Sequence, residues 1–377
     1  MRYLIYFSII TVFFSCKEGK VGGELKQLED LTFDSGFNSE KGQIEKFNNQ
    51  EYYCVADYSK HKQISLHEID SDLMVSVPLD SVVQLGEKII AYEVINLDTI
   101  MILTKFNSHL YFINQTGAIW KTIDFSPYFK KGSEYELIRS STAFHVSNGK
   151  LIFSLGYSPN NIDSSLFTNI TDAEAWTVYH KFSRAAPSFL LVEDVFADSL
   201  EVSFELPHFL NRYVADNEMS ESDRLFNFYG NFATFISPFT DTAYIINTET
   251  FEIDDWVKVA SDNTQTSTIP ITTQEHVDDG YALYMVYFIG GRIVSFQYDK
   301  YRDLFYCIVK HAQKESAEPW SIIVYNADLE CLDEFIMDDT KYAPRLFITE
   351  AGLLISRLNE SDADNFQKNT FTLFNYE

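Results

Sequence analysis

The chain has 377 residues, a formal net charge of −26, 46% hydrophobic residues and 16% aromatic residues. The negative charge argues against a nucleic-acid-binding protein, because phosphates require a basic surface, and against peripheral docking on anionic lipid. The 32 Phe and 23 Tyr residues can fill a large core, so the composition excludes a disordered chain and favours strands over helices.

The first fifteen residues have the pattern of an export signal. Arg2 precedes an apolar run from Leu4 to Phe14 that only one Ser and one Thr interrupt. As a helix this run would be about 16 Å long, roughly half the thickness of a bilayer core, so it is too short for a permanent membrane span. Residues 1–15 are therefore predicted to be a signal peptide that is removed from the mature protein.

The residues that follow predict a lipid anchor. Ser15 before Cys16 resembles the lipobox of Gram-negative lipoproteins, in which a small residue precedes the cysteine that receives the lipid. Residues 16–23 then form a polar, glycine-containing tether. The expected location is the cell envelope, on the outer membrane and facing either the periplasm or the cell surface. The alternative is an ordinary secreted protein in which Cys16 is incidental.

Residues 24–377 contain a recurring hairpin that predicts an all-β propeller. Each copy has an apolar strand, a turn rich in Asn, Asp, Thr and Gly, and a second strand. A sixth copy, at 370–377, lacks its second strand, so we expect residues 25–33 to supply it and to close the ring by pairing the N- and C-terminal strands. The five complete copies span residues 64–79, 110–123, 189–206, 242–257 and 321–336.

Further strand pairs precede several of these hairpins and complete four-stranded units. They flank the turns at 147–149, 298–303 and 350–352. Two hairpins in succession form a propeller blade, so six outer hairpins predict a six-bladed β-propeller. A seven-bladed ring with one weakly marked blade is the alternative. Two sandwich domains or a solenoid are less favoured, because the chain has neither a Pro/Gly-rich linker near its middle nor short regular repeats.

The lipobox, the six irregular blades and the string YDKYRDLFYCIVKH, residues 298–311, together resemble an uncharacterised family of bacterial six-bladed β-propeller lipoproteins. The fold of that family is similar to NHL and TolB-like propellers. The resemblance spans nearly the whole chain, although Cys307 stands where a more polar or basic residue is expected. It implies the fold and the envelope location, and it implies no catalytic activity.

The long connections between strands predict the working face. In a blade whose strands are labelled a to d from the axis outward, the a–b and c–d turns lie on one face and the b–c and d–a connections on the other. The connections 156–188, 207–231, 258–291 and 310–320 all fall on the second face, which we call the insert face. Five of the eight histidines lie on this face, four of them in these connections and the fifth, His61, in blade one, whereas His67, His109 and His145 do not.

We predict that the insert face binds a partner protein or a glycan, because Arg offers bidentate contacts and Tyr offers stacking area. The alternative for any single residue is an ordinary solvated loop side chain. The candidate binding residues are His180, Arg184, His208, Arg212, Arg224, Tyr229, His276 and His311.

No catalytic signature accompanies these residues. The sequence has no HExxH, paired CxxC, GxSxG, Walker or GxGxxG motif, so no metal, cofactor or catalytic residue is predicted. A non-enzymatic binding or scaffolding module is the favoured function. The alternative is a hydrolase or lyase with a metal or His/carboxylate site at the mouth of the axial channel.

The three cysteines beyond Cys16 each lie in an apolar run. Cys54, Cys307 and Cys331 are therefore predicted to be buried free thiols, with a Cys307–Cys331 disulfide as the alternative.

Overall fold

The computed structural model describes the strands of six sheets and parts of the connections between them. Within the described residues the chain forms six antiparallel sheets and one helical turn, α1 (Asp80–Val83). The six sheets form a ring, so the predicted six-bladed β-propeller is confirmed and the seven-bladed alternative is wrong. The described residues are 23–34, 42–58, 62–86, 89–104, 109–128, 135–137, 144–147, 149–157, 189–197, 201–205, 225–236, 241–259, 261, 291–312, 319–358 and 368–377.

The first strand, β1 (Leu25–Asp34), belongs to the last blade, and the blades are otherwise built in chain order. Blade 1 comprises β2 (Gly42–Phe47), β3 (Gln50–Asp57), β4 (Gln63–Glu68) and β5 (Met74–Pro78). Blade 2 comprises β6 (Ile89–Asn96), β7 (Thr99–Thr104), β8 (His109–Ile113) and β9 (Ile119–Asp124). Blade 3 comprises β10 (Tyr135–Leu137), β11 (Phe144–Ser147), β12 (Lys150–Tyr157), β13 (Phe189–Val192) and β14 (Val202–Glu205).

The other three blades have four strands each. Blade 4 comprises β15 (Leu225–Tyr229), β16 (Phe232–Ile236), β17 (Thr242–Asn247) and β18 (Ile253–Lys258). Blade 5 comprises β19 (Arg292–Asp299), β20 (Leu304–Lys310), β21 (Trp320–Asn326) and β22 (Cys331–Met337). Blade 6 comprises β23 (Tyr342–Ile348), β24 (Leu353–Arg357), β25 (Lys368–Tyr376) and β1.

The N- and C-terminal strands close the ring, as the truncated sixth hairpin predicts. β1 pairs antiparallel with β25, from Leu25 opposite Tyr376 to Asp34 opposite Lys368. The carboxylate of Asp30 in β1 stabilises this pairing. It accepts a hydrogen bond from Thr372 and forms an ion pair with Arg357. The closing strand therefore completes blade 6 with backbone and side-chain bonds and removes an exposed sheet edge.

The apolar core is divided into six clusters, each lying between two consecutive blades. Alternation along the strands produces this arrangement, because successive side chains of a strand point to opposite faces. In β12, for example, Leu151 and Phe153 pack against blade 2, whereas Ile152 packs against blade 4. The sixth cluster joins blade 6 to blade 1 through Phe33 and Tyr53. The ring is therefore held together at all six interfaces.

Asparagine side chains build several of the outer turns. Asn114 Oδ1 accepts hydrogen bonds from the amides of Thr116 and Ala118, and Asn247 Oδ1 accepts from those of Glu249 and Thr250. A side chain that satisfies the turn amides in this way favours the hairpin over a continued strand. The polar residues that mark the repeat in the sequence thus have a direct role in ending each strand.

Candidate functional site

The first strands of the blades surround an axial channel with a cavity of about 780 Å³. Every blade contributes to its lining: β2, β6, β11, β15, β19 and β23 each place at least one residue there. The cavity extends to the a–b turns, where Lys300 and Tyr301 line it. A concave site that mixes aromatic, amide and charged groups has the composition of a ligand pocket.

The wall formed by blades 1 to 3 is polar and acidic. Glu45 of β2 and Glu93 of β6 line it on neighbouring blades, and His145 of β11 follows on the third. His145 Nδ1 lies 3.3 Å from Glu93 Oε1. The His145 ring is stacked on Phe228 of β15, with ring centroids 5.6 Å apart and planes within 4° of parallel. The imidazole is thus held between a carboxylate on one blade and an aromatic ring on another.

Glu45 is half-buried and lines the cavity. Burial raises the pKa of Glu45 well above its ordinary value, the Glu93 carboxylate raises it further, and Lys300 opposes the shift. Among the residues that the structure describes, none forms a hydrogen bond or an ion pair with the Glu45 carboxylate. Among the described neighbours, the charge of Lys300 therefore opposes the effect of burial on this carboxylate, and no hydrogen bond does.

Gln43 stands two residues before Glu45 on the same strand and lines the same cavity. Residues i and i+2 of a strand share one face, so the two side chains point the same way. The Gln43 Nε2 is buried and donates no hydrogen bond to any described residue. The acidic wall thus has an acceptor and a donor that the described protein groups leave unused.

The a–b turns of blades 5 and 6 are joined by a network around Asp299, which is fully buried. Asp299 Oδ1 accepts hydrogen bonds from the amides of Tyr301 and Arg302, at 2.9 and 3.2 Å. Arg302 donates to Asp299 Oδ2 at 2.8 Å and to the carbonyl oxygens of Thr349 and Glu350 at 3.1 and 2.9 Å. We call the residues Asp299, Tyr301 and Arg302, together with Glu51, the clasp.

Glu51 connects the clasp to blade 1. Its buried carboxylate accepts a hydrogen bond from the Tyr301 hydroxyl at 2.6 Å and from the Glu350 amide at 2.9 Å. Lys46 pairs with the Glu350 carboxylate at 2.5 Å and lies 5.4 Å from the centre of the Tyr301 ring. The string YDKYRD therefore has a structural role, because Asp299, Tyr301 and Arg302 join blades 5, 6 and 1 beside the channel.

The sequence predicts that Tyr229 lies in a connection, but the structure places it in strand β15. It lines the cavity at the end where β15 joins β16, which is an a–b turn and so lies opposite the insert face. Burial raises its pKa, and its ring contacts Tyr298 with centroids 6.0 Å apart. The expected position on the insert face is corrected, whereas a role in binding stays a prediction.

His311 begins the connection after β20, as predicted, and its side chain is buried. Its backbone amide donates to the Pro319 carbonyl at 2.8 Å, which closes the base of that connection. The other candidates on the insert face, together with the lipidation residue Cys16, lie outside the described residues. These are His180, Arg184, His208, Arg212, Arg224 and His276.

Sequence reasoning missed the channel residues. Glu45, Glu93 and His145 are separated by about fifty residues each and come together only when the ring closes. A usable signal was Glu93, which interrupts the apolar strand β6, because a charge at a buried strand position demands an explanation.

Cys54 and Cys307 are buried free thiols, as predicted, and burial raises the pKa of both. Cys331 is half-buried and has a partner outside the described residues, so the prediction of a free thiol is wrong for this residue. Because Cys307 is free, the Cys307–Cys331 alternative is wrong as well.

The described ranges contain neither a cluster of metal ligands nor a membrane-spanning helix. No group of three or more His, Cys, Asp or Glu residues in them is arranged to hold a metal ion. None of their helices is long and apolar enough to cross a bilayer.

Comparisons with known proteins support the fold and assign no function. No protein-family model matches the chain, and no curated protein does. The structure is similar to a member of the DUF4221 family from Bacteroides vulgatus, with 16% identity, a TM-score of 0.69, and coverage of 95% of this chain and 99% of that one. It is also similar to a protein of Bacteroides fragilis named as a presumed exported protein, with 12% identity, a TM-score of 0.51, and coverage of 95% and 96%. At these identities the similarity shows a shared propeller fold.

Proposed function

We propose that this protein is a lipid-anchored propeller of the cell envelope that binds a glycan in its axial channel. The observation that carries the proposal is the 780 Å³ cavity, whose lining combines carboxylates, amides and aromatic rings from all six blades. Carboxylates and amides suit the hydroxyl groups of a sugar, and aromatic faces suit its apolar side. The insert face stays a predicted binding surface for a partner protein.

The envelope location is supported by the apolar leader and Ser15-Cys16, and by the name of the B. fragilis neighbour. Its test is the mass of the mature protein isolated from host membranes. We expect a chain that begins at Cys16 and carries the mass of a diacylglycerol group. A sulfur that carries this lipid cannot take part in a disulfide, so an unmodified mass or a disulfide-linked Cys16 contradicts the lipid anchor.

The channel is tested with a variant that fills it. Ser295 lines the cavity, so Ser295→Phe places a ring inside it. A suitable control is Thr32→Phe, on the exposed side of the closing strand β1. Both variants and the wild-type protein are screened against a glycan array. We expect Ser295→Phe alone to lose the wild-type signals. Signals that persist in Ser295→Phe place binding elsewhere, and a wild-type protein that binds no glycan contradicts the proposal.

A second function, a hydrolase or lyase, is favoured by the contact between His145 and Glu93. In such a contact the imidazole of His145 can act as a general base that the Glu93 carboxylate orients. Glu45 lines the same cavity and offers a second acid. Product analysis after incubation with the glycans that bind tests this function. We expect turnover to disappear in Glu93→Gln. Glycans that bind and are recovered intact contradict an enzyme.

A further inference from the structure

The acidic wall of the channel differs from the other buried charges of this protein, because its described neighbours do not satisfy it. Glu45 accepts no hydrogen bond from a described residue, and the charges that shift its pKa are a like charge, Glu93, and one cation, Lys300. Lys300 itself lies over the Tyr301 ring, 5.2 Å from its centre. A carboxyl group in this state tends to hold a proton, and a cation brought by a ligand would stabilise its charged form.

An organic cation suits the wall better than a metal ion does. The described residues contain no set of three metal-ligating groups, and the carboxylates of Glu45 and Glu93 come from different blades. A primary ammonium has weaker directional demands than a metal ion, because its three N–H donors can turn about the C–N bond to reach the available acceptors. The net charge of −26 also raises the local concentration of cations around the protein.

The side-chain amide of Gln43, beside Glu45, further restricts which ligands fit the acidic wall. Gln43 Nε2 is buried in the same wall and needs an acceptor, which a hydroxyl oxygen near the ammonium would provide. Tyr229, Phe228 and Tyr298 line the cavity from blades 4 and 5 and offer aromatic surface to a ring. An amine and a hydroxyl on one ring are the functional groups of an amino sugar.

We propose that Glu45 and Gln43 form a subsite for the ammonium and an adjacent hydroxyl of an amino sugar with a free amine. The subsite rests on the proposed glycan-binding function and names its ligand class. Glu93 and His145 complete the wall, with Glu93 adding negative charge and His145 holding the Glu93 carboxylate in place.

The test is calorimetric titration with glucosamine, N-acetylglucosamine and glucose, which share one ring and differ only in the group at one carbon. We expect glucosamine to bind at least about tenfold more tightly than the two neutral sugars, since an enclosed ion pair outweighs a neutral hydrogen bond. Glu45→Gln, which keeps the size of the side chain, should abolish this preference. The glycan-array comparison of the Ser295→Phe variant tests the channel independently.

Three outcomes overturn the subsite. Equal affinity for the three sugars leaves the channel as a glycan site and removes the ammonium subsite. A preference for glucosamine that survives in Glu45→Gln assigns the cation to another residue. No binding of any of the three sugars rejects the subsite, and the glycan array then decides separately whether the channel binds other glycans. Folding of Glu45→Gln is verified by its melting temperature.

Discussion

The clasp beside the channel and the acidic wall inside it differ in how their carboxylates are paired. Asp299 and Glu51 in the clasp accept hydrogen bonds from backbone amides, a guanidinium and a phenol. Glu45 in the acidic wall receives none from the described residues. A satisfied buried charge contributes to a unique structure, whereas an unsatisfied one lowers stability and marks a candidate functional site. The clasp is therefore structural, and the acidic wall is the candidate site.

The largest effect is expected from breaking the clasp at its cation. Arg302→Ala leaves the fully buried Asp299 without its guanidinium and should lower the free energy of unfolding by about 3 kcal/mol. Arg357→Ala is the matched control, because Arg357 pairs with Asp30 at a partly exposed site and should cost less than about 1 kcal/mol. Denaturant unfolding measures both. Equal losses in the two variants would show that burial of Asp299 confers no special dependence on Arg302.

A smaller effect is expected from removing one hydroxyl of the clasp. Tyr301→Phe deletes the hydrogen bond to Glu51 and leaves the amide of Glu350 as a donor. The free energy of unfolding should fall by about 1 kcal/mol. Tyr298→Phe is the control, since the Tyr298 hydroxyl donates to the exposed side chain of Asp303. Denaturant midpoints that rank these two variants the other way round would contradict the assignment of Glu51 to the clasp.

The smallest effect has the opposite sign and depends on pH. Because the pKa of Glu45 is raised in the folded protein, the folded state holds a proton that the unfolded chain releases, and stability falls as pH rises through that window. Glu45→Gln should therefore melt at a higher temperature than the wild-type protein at about pH 8, and the difference should vanish by about pH 4. Melting curves across this range measure it. A lower melting temperature for Glu45→Gln at about pH 8 would show that an undescribed residue stabilises the carboxylate.

Much of the fold could be predicted because hairpins are local. The alternation of apolar residues and the Asn-containing turns mark the outer strand pairs, and the single strand at 370–377 implies a partner from the other end of the chain. The division of the inner strand of blade 3 into β10 and β11 could not be predicted. Leu137 and Phe144 are seven residues apart, yet they pair with Leu155 and Phe153, which are two apart.

The site could be predicted far less well than the fold. The sequence predicts the insert face as the binding surface, because the lengths of the connections can be read from one sequence. Glu45, Glu93 and His145 come from strands of three blades, and alternation shows which face of a strand is apolar without showing which residues border the axis. Residue type alone makes Tyr229 a candidate, and the sequence places it in the wrong element because the start of β15 carries no turn signal.

The most direct measurement is the affinity for glucosamine of two variants measured side by side. Glu45→Gln should fold with unchanged or greater stability near neutral pH and lose the preference for glucosamine over N-acetylglucosamine. Tyr301→Phe should be less stable and keep that preference, because it alters the clasp and leaves the acidic wall intact. A Glu45→Gln variant that keeps the preference, or a Tyr301→Phe variant that loses it while folded, would contradict the distinction between a structural clasp and a ligand-binding wall.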